Sequence, residues 1–369
     1  MRVLVVGCVH LNELPPALNL VGALNRLGIS VTLITKGEAY SYDAMGKTKT
    51  ITLREINRRG IQSVVEYFLF RRKLRSVIKA EMKECDVLWT LTDKTVREVG
   101  NMLFQYKYIM QLQELVEFVP AIPKQAAIGI DLKRYLRNAY KVVVPEINRA
   151  HIIKAWNELD VLPSVLPNKV TIEERDYTET PQRIRSIMNM IEREPRRIVL
   201  YQGILAKDRD LEVFAKAINE MDDYVLYIMG KEGQGFCIDD LRTRYNKIVY
   251  IPYIAPPDHL FITSRAFIGL LPYRASRIAH LSVLNAVFCA PNKLYEYSAF
   301  GIPMIGSSIP GLMIPFEKYR CGILVDGITT TEIIEAIRMI EANYHSFSSN
   351  SKRMYNENDY DTALQKIVS

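Results

Sequence analysis

Along most of the chain, short uninterrupted apolar runs alternate with longer stretches in which apolar residues recur every three or four positions. RVLVVG at 2–7 is rich in β-branched residues and ends in Gly7, the pattern of a buried parallel strand. PPALNLVGALNRLG at 15–28 opens on prolines, carries Leu and Val at helical spacing and closes on Gly28, the start and stop signals of a helix. ISVTLIT at 29–35 reads as a second strand. A β-α-β opening of this kind argues for a doubly wound α/β domain.

The alternation continues through DVLWTL (86–91), KYIMQL (107–112) and KVVVP (141–145) to PSVLPNKV (163–170), where Pro163 and Pro167 break it. Residues 171–196 are polar and charged, with room for one short helix. The pattern then restarts with a strand, RRIVLYQG (196–203), a helix, DLEVFAKAINEM (210–221), and a strand, DYVLYIMG (223–230). KIVYIPY (247–253), a short Pro-opened helix PPDHLFITS (256–264) and AFIGLLPY (266–273) follow. A long connection to 290 precedes a helix at 291–300, the strands IPMIGS (302–307) and GILVD (322–326), and the helix TEIIEAIRMIEANY (331–344). No internal repeat or low-complexity segment interrupts the series. The expectation is two Rossmann-like α/β domains, 1–168 and 169–344, with a polar helix-like tail, 345–369, packing back on the first. In folds of this kind the two domains face each other across a cleft, and ligands bind outside the carboxyl ends of the strands.

Composition agrees with this picture. The chain has 369 residues, 49% hydrophobic and 24% charged, as in soluble globular proteins of two domains. Its net charge of +7 favours anionic partners: phosphorylated substrates, anionic lipid or nucleic acid. Cys8, Cys85, Cys237, Cys289 and Cys321 are scattered with no C-x-x-C pair, which suggests neither a zinc site nor a disulfide framework and points to a reducing, cytoplasmic compartment. The first residues make a poor signal peptide. No run approaches the about 18 apolar residues of a membrane span, so any membrane association is expected to be peripheral.

Three stretches carry candidate chemistry. Gly7 ends the first strand, but the turn GCVHLNELPP lacks G-x-G-x-x-G, which argues against a dinucleotide turn. His10 and Glu13 lie in that turn, as solvated loop residues or near a ligand. In YQGILAKDRDLE (201–212) a strand ends at Gly203, a loop carries Lys207 and Arg209, and a helix begins. A guanidinium beside a helix N-terminus makes an anion site; a merely solvated basic loop is the alternative. In APNKLYEYSAFGIPMIGS (290–307), Pro291 and Asn292 open a helix, with Asn292 as its expected N-cap. Glu296 lies one turn on, on the Asn292 face, while Leu294, Tyr297 and Ser298 lie toward the sheet. Gly301 supplies the C-cap and Pro303 prevents continuation. Such a helix start suits a diphosphate. A carboxylate, acceptor-only with two oxygens, suits both hydroxyls of a ribose diol. An ordinary exposed helix glutamate is the alternative.

PNKLYEYSAFGIPMIGS resembles the nucleotide-sugar segment of GT-B glycosyltransferases, in particular the large retaining group called family 4. The strand, glycine, loop and arginine of 201–209 resemble that family's diphosphate loop, and VLPNKV its interdomain crossover. The likeness is clearest from PSVLPNKV to GILVD; the N-terminal half is similar in pattern only. The resemblance implies a nucleotide-diphosphate-sugar donor, UDP- or GDP-linked, and no further cofactor. It implies Glu296 on the donor ribose, Gly203, Lys207 and Arg209 at the diphosphate, and Asn292 and Lys293 near the phosphates or sugar. With no D-x-D pair near a strand end, no metal is expected. The sequence departs from the family at three places. Phe288 stands where a second glutamate is usual, with Asn285 as a possible substitute for its contact. Ile204 follows Gly203 where arginine is usual. Gln113-Glu114 stands where a His-Asp pair is common, which would set Glu114 facing the reacting sugar or acceptor; a glutamate ending a strand is the alternative.

Residues 54–79 carry eight Arg or Lys against Glu55 and Glu66, interleaved with Tyr67, Phe68 and Phe70. Such a stretch suits an anionic membrane surface, or a solvated basic helix whose apolar side packs on the sheet. No nucleic-acid motif accompanies it. The connection 272–285 carries Arg274, Arg277 and His280, which could meet donor or acceptor or be solvated. The resulting expectation is a glycosyltransferase, metal-independent and retaining, moving a sugar to a hydroxyl acceptor such as a lipid-linked saccharide in bacterial surface polysaccharide synthesis. Glu114 and Arg209 are its candidate catalytic residues. The alternatives are a UDP-sugar epimerase, which needs no acceptor, and a non-catalytic module that binds a nucleotide sugar or polyanion.

Overall fold

The structure is a computed structural model and describes residues 1–8, 10, 14–36, 48–54, 61–123, 128–172, 175–206, 209, 211–233, 235–275 and 281–369, with side chains from 64 onward in the segment that starts at 61. The described chain divides into two compact units. One holds residues 1–168, 281–285 and 359–369, the other 169–275 and 286–358.

In the first unit seven parallel strands, β1 (Arg2–Gly7), β2 (Ser30–Lys36), β3 (Lys49–Leu53), β4 (Val87–Leu91), β5 (Tyr108–Gln111), β6 (Lys141–Val144) and β7 (Ser164–Val165), stand in the order β3-β2-β1-β4-β5-β6-β7. In the second, β8 (Arg197–Leu205), β9 (Tyr224–Glu232), β10 (Ile248–Pro252), β11 (Ile268–Leu271), β12 (Met304–Ser307) and β13 (Gly322–Val325) are also all parallel, in the order β10-β9-β8-β11-β12-β13. Both sheets therefore grow outward from their first strand in one direction and then return past it. Each has a topological switch point beside that strand, between β1 and β4 and between β8 and β11.

Both faces of each sheet are buried. Val3 and Val5 of β1 join one core with Leu20 and Leu24, while Leu4 and Val6 join another with Leu74 and Ile78. In β8, Ile198 and Leu200 face one core and Val199 and Tyr201 the other. Two-sided burial is why these strands read as continuous apolar runs.

Four features differ from the sequence expectation. β3 carries no apolar run: it is an edge strand with Lys49, Thr50 and Thr52 exposed and Leu53 buried. A short helix, Val283–Val287, stands within the expected loop to 290. Residues 281–285, expected in the second domain, belong to the first unit. Leu281 forms an antiparallel bridge with Val116, the Ser282 N–H donates to the Leu115 carbonyl at 3.0 Å, and the Leu115 N–H donates to Asn285 Oδ1 at 2.8 Å. The tail is divided rather than packed wholly on the first domain. Helix Tyr344–Glu357 lies in the second unit, where Met354 is buried and Ser351 Oγ donates to the Ile302 carbonyl at 2.8 Å. Only helix Tyr360–Val368 packs on the first unit, with Tyr360, Leu364 and Ile367 in the core of Val3 and Val5 and Asp361 paired with Arg26.

Of the basic stretch 54–79, residues 61–79 belong to helix Ile61–Glu81, and 55–60, with Arg58 and Arg59, lie outside the described residues. Arg71 and Arg75 face inward. Arg71 Nη2 donates to the Arg97 carbonyl at 3.0 Å, and Arg75 Nε to the Val99 carbonyl at 3.0 Å. These satisfy carbonyls at the end of helix Thr92–Val99, where cations are favoured. Tyr67, Leu74 and Ile78 are buried, whereas Val65, Phe68 and Leu69 are exposed beside exposed Arg72 and Lys73. No helix among the described residues is long and apolar enough to cross a membrane.

Candidate functional site

In the second unit, Gly203, Arg209, Lys293 and Glu296 gather near the carboxyl end of β8, beside the switch point. Gly203 has φ +126°, a conformation that side chains rarely adopt. A Cβ there would stand 3.3 Å from Nζ of Lys293. Glycine thus leaves the end of the strand open to an ammonium group. Lys293 is buried, with Nζ 4.4 Å from the ring centroid of Tyr201 and 5.1 Å from that of Tyr273. The Arg209 guanidinium lies 4.6 Å from the same Tyr273 ring, so two cations share one aromatic neighbour. Burial pushes the Tyr273 hydroxyl far above the ordinary tyrosine range against the pull of Arg209, so the ring stays neutral. Ile204, where the resembled family has arginine, is exposed and brings no charge. The cation beside Gly203 comes from Lys293 instead.

Lys293 and Glu296 project from helix Asn292–Ala299, which enters between β11 and β12. Pro291 occupies the cap position with extended backbone, and no side chain caps the helix. Asn292, expected as N-cap, is instead the first helical residue. Pro291 carries the non-helical φ/ψ that a capping Asn would need. The helix end is as expected. Gly301 at φ +68° donates its N–H to the Ser298 carbonyl at 3.0 Å, and the Ile302 N–H donates to the Tyr297 carbonyl at 3.0 Å, a Schellman pair. Tyr297 is fully buried and its hydroxyl donates to the Leu200 carbonyl at 2.9 Å, tying the helix to β8.

Glu296 is 5% exposed, which excludes the ordinary surface glutamate. Its Oε2 accepts from Gln202 Nε2 at 2.5 Å, and its Oε1 lies 3.3 Å from His259 Nε2. Burial pushes the Glu296 carboxyl up. The interaction with His259, the hydrogen bond from the Gln202 amide and the nearby Lys293 outweigh that, and the carboxyl is held below the ordinary glutamate range. It is therefore an anion at neutral pH, in a water-poor setting near the Lys293 ammonium.

Gln202, His259 and Thr263 were not singled out from the sequence. His259 and Thr263 stand four apart in the otherwise apolar helix His259–Thr263, and that pairing of polar residues on one buried face is the signal that could have found them.

Glu114 lies in the first unit, just beyond β5. Its side chain is 47% exposed, with Oε2 3.6 Å from Nη1 of buried Arg149. Arg149 also donates to the Gln113 carbonyl, and to the Asn285 carbonyl at 3.0 Å. The side-chain amide of Gln113 is buried, and neither of its polar atoms has a hydrogen-bond partner. Asn285 is thereby engaged with the loop after β5. Arg274 is exposed. Lys207, Glu13, Arg277 and His280 lie outside the described residues.

No family model matches the chain, and no curated protein matches it in sequence. Solved structures do match its fold from end to end. Sucrose-phosphate synthase from Thermosynechococcus elongatus is 16% identical, with 99% of this chain and 97% of that one covered and a TM-score of 0.65. HepE of Anabaena, solved in complex with UDP and glucose, is 12% identical over 100% of this chain and 98% of that one, with a TM-score of 0.66. A glycosyltransferase from Rickettsia africae is 13% identical over 100% and 96% of the two chains, with a TM-score of 0.67. The two doubly wound units are those of the GT-B fold.

Proposed function

We propose that this chain is a glycosyltransferase that moves a sugar from a nucleotide diphosphate donor to a hydroxyl acceptor. The observation that carries this reading is the gathering of two cations, Lys293 and Arg209, at one ring, Tyr273, with a buried, ionised carboxylate, Glu296, one turn from Lys293 on a helix that no side chain caps. Cations and the positive end of a helix dipole suit a diphosphate. A carboxylate with a fixed orientation suits a vicinal diol. Their spacing on one helix suits a nucleoside diphosphate, which carries the diphosphate on its 5′ oxygen and the diol at C2′ and C3′ of the same ribose.

In such a reaction the acceptor oxygen bonds to the anomeric carbon, and the bond from that carbon to the phosphate oxygen breaks. The electron pair leaves with the diphosphate and the acceptor proton passes to a base or to the departing phosphate oxygen. Negative charge grows on the leaving group, so Arg209, Lys293 and the start of helix Asn292–Ala299 contribute most in the transition state. Gly203 leaves the space for this pocket, with Asn292 and Lys207 as further donors to phosphate or sugar. Glu114, oriented by Arg149, is the candidate to orient the acceptor hydroxyl. Net retention of configuration, as in the family 4 enzymes that the sequence resembles, belongs to this proposal.

A lipid-linked saccharide at the inner face of a membrane is the proposed acceptor, in keeping with surface polysaccharide synthesis. Exposed Val65, Phe68 and Leu69 beside Arg72 and Lys73 support it, since an apolar patch edged by cations suits anionic lipid.

The test is thermal stabilisation by UDP, GDP, ADP, CDP and their common sugars, on wild type and Glu296→Ala. UDP comes first because HepE of Anabaena was solved with it. A ligand that binds only the folded state raises the melting temperature by mass action. A response to one nucleoside diphosphate that vanishes in Glu296→Ala is the expected result; no response to any of them would overturn the reading. Turnover of donor without acceptor, giving an altered sugar nucleotide, would instead favour an epimerase.

A further inference from the structure

Glu296 does not stand alone. It ends a buried chain of polar groups that runs across three elements: β8, helix His259–Thr263 and helix Asn292–Ala299. Thr263 Oγ1 lies 2.7 Å from Gln202 Oε1, Gln202 Nε2 donates to Glu296 Oε2 at 2.5 Å, and His259 Nε2 faces Glu296 Oε1 at 3.3 Å. Thr263, Gln202, His259 and Glu296 are all 9% exposed or less.

The chemistry of the atoms fixes the direction of the protons at the carboxylate. An ionised carboxylate only accepts, so Gln202 must turn its NH₂ toward Glu296 and its carbonyl toward Thr263. The Thr263 hydroxyl has one proton to share between that carbonyl, at 2.7 Å, and the His259 carbonyl, at 3.0 Å, and the nearer contact holds the amide from flipping. By the same rule His259 carries its proton on Nε2. Its Nδ1 is buried without a hydrogen-bond partner, so the Glu296 carboxylate is what the ring's polar edge is committed to.

Each carboxylate oxygen has two acceptor positions. Gln202 takes one on Oε2 and His259 one on Oε1. The carboxylate can no longer turn about its terminal bond, and each oxygen keeps one acceptor position. Two neighbouring hydroxyls can meet those two positions at once; a single hydroxyl cannot.

We propose that His259 is a positioning residue that, with Gln202, makes Glu296 selective for an intact ribose diol over a deoxyribose. The inference rests on the reading of Glu296 as the ribose contact. It adds a specificity role to a side chain that need not touch the nucleotide.

The experiment is isothermal titration calorimetry of the full chain with the nucleoside diphosphate that stabilises it most, and with the 2′-deoxy form of that nucleotide. Wild type is expected to prefer the ribonucleotide by about ten- to a hundredfold, the worth of a hydrogen bond to a charged group. His259→Leu is expected to bring the ribonucleotide down to the deoxy affinity while leaving the deoxy affinity unchanged. A merely structural histidine would lower both together. His259→Gln and His259→Asn provide a second comparison if the leucine variant fails to fold. A Gln amide reaches the place of Nε2 and should keep the preference; an Asn amide reaches only the place of Nδ1 and should lose it. Discrimination that persists in His259→Leu and His259→Asn overturns the inference and leaves the ribose contact standing, as does a parallel loss of both affinities. A wild type that binds neither nucleotide, or both equally, overturns the ribose contact and the inference with it.

Discussion

The ring of Tyr297 lies so close over Gly269 that a Cβ on the glycine would stand 2.4 Å from ring carbon Cδ2. One residue of β11 therefore has to lack a side chain for the helix that carries Lys293 and Glu296 to reach the sheet. Gly269→Ala is expected to cost about 1–3 kcal/mol, the usual price of overpacking a filled core. It should also weaken nucleotide binding, because the displaced helix takes both site residues with it. Tyr297→Phe removes only the bond to the Leu200 carbonyl and should cost about 1 kcal/mol. Urea melts of both variants check this; equal stability of Gly269→Ala and wild type would contradict the close packing.

Lys293 and Arg209 should matter in proportion to the phosphate present. Lys293→Met keeps the apolar stem against Tyr201 and Tyr273 while removing the charge. With Arg209→Ala as its counterpart, each variant is expected to weaken a nucleoside diphosphate by about ten- to a hundredfold, a monophosphate less, and the bare nucleoside hardly at all. Titration of the three ligands checks the order. The same loss for all three would mean that the site has collapsed and that the charges are not what was removed.

The acid dependence of Glu296 has a defined sign. Its folded carboxyl is held below the ordinary value, so the ionised group stabilises the fold above the unfolded value of about 4.3 and that contribution is lost as pH falls through the folded value. The stability gap between wild type and Glu296→Gln should stay level from pH 7 to about pH 5 and shrink only in more acid solution. A gap that closes between pH 7 and pH 5 would show a carboxyl raised by burial rather than lowered by its neighbours.

The patch on helix Ile61–Glu81 makes a separate prediction. Val65→Ser, Phe68→Ser and Leu69→Ser together should abolish sedimentation with vesicles containing anionic phosphatidylserine while leaving the melting temperature nearly unchanged, because these side chains are already exposed. Arg72→Ala with Lys73→Ala should weaken the same binding and make it less sensitive to salt. Failure of wild type to bind such vesicles would remove the support for a membrane-bound acceptor.

The fold was legible because parallel strands buried on both faces announce themselves as apolar runs, and Pro and Gly mark the ends of the helices between them. β3 escaped because an edge strand has too little buried surface to show. Within the site, Gly203, Arg209 and Glu296 were visible because each sits in a short stretch whose local chemistry is complete, and Lys293 through the family resemblance. Gln202 and His259 were not, since their role depends on Glu296. Gln202 lies 94 positions away from it in the chain, and nothing near either residue predicts that neighbour. Asn292 shows the opposite error. A good capping residue was present, but the proline before it had already taken the cap.

The threading of the chain sets an order of events during its synthesis. The first unit borrows residues 281–285 and 359–369, and Tyr360, Leu364 and Ile367 fill the core around Val3 and Val5. A ribosome that has completed residue 168 has made every strand of the first sheet yet left an apolar seam open beside β1. That seam stays open while the whole second unit is made. Among the described residues, the second unit is interrupted by 281–285 and holds nothing from beyond residue 358, so it can close first. The half of the molecule that is made first is thus the half that is finished last, and a chain halted between the units exposes a surface suited to aggregation or to a chaperone.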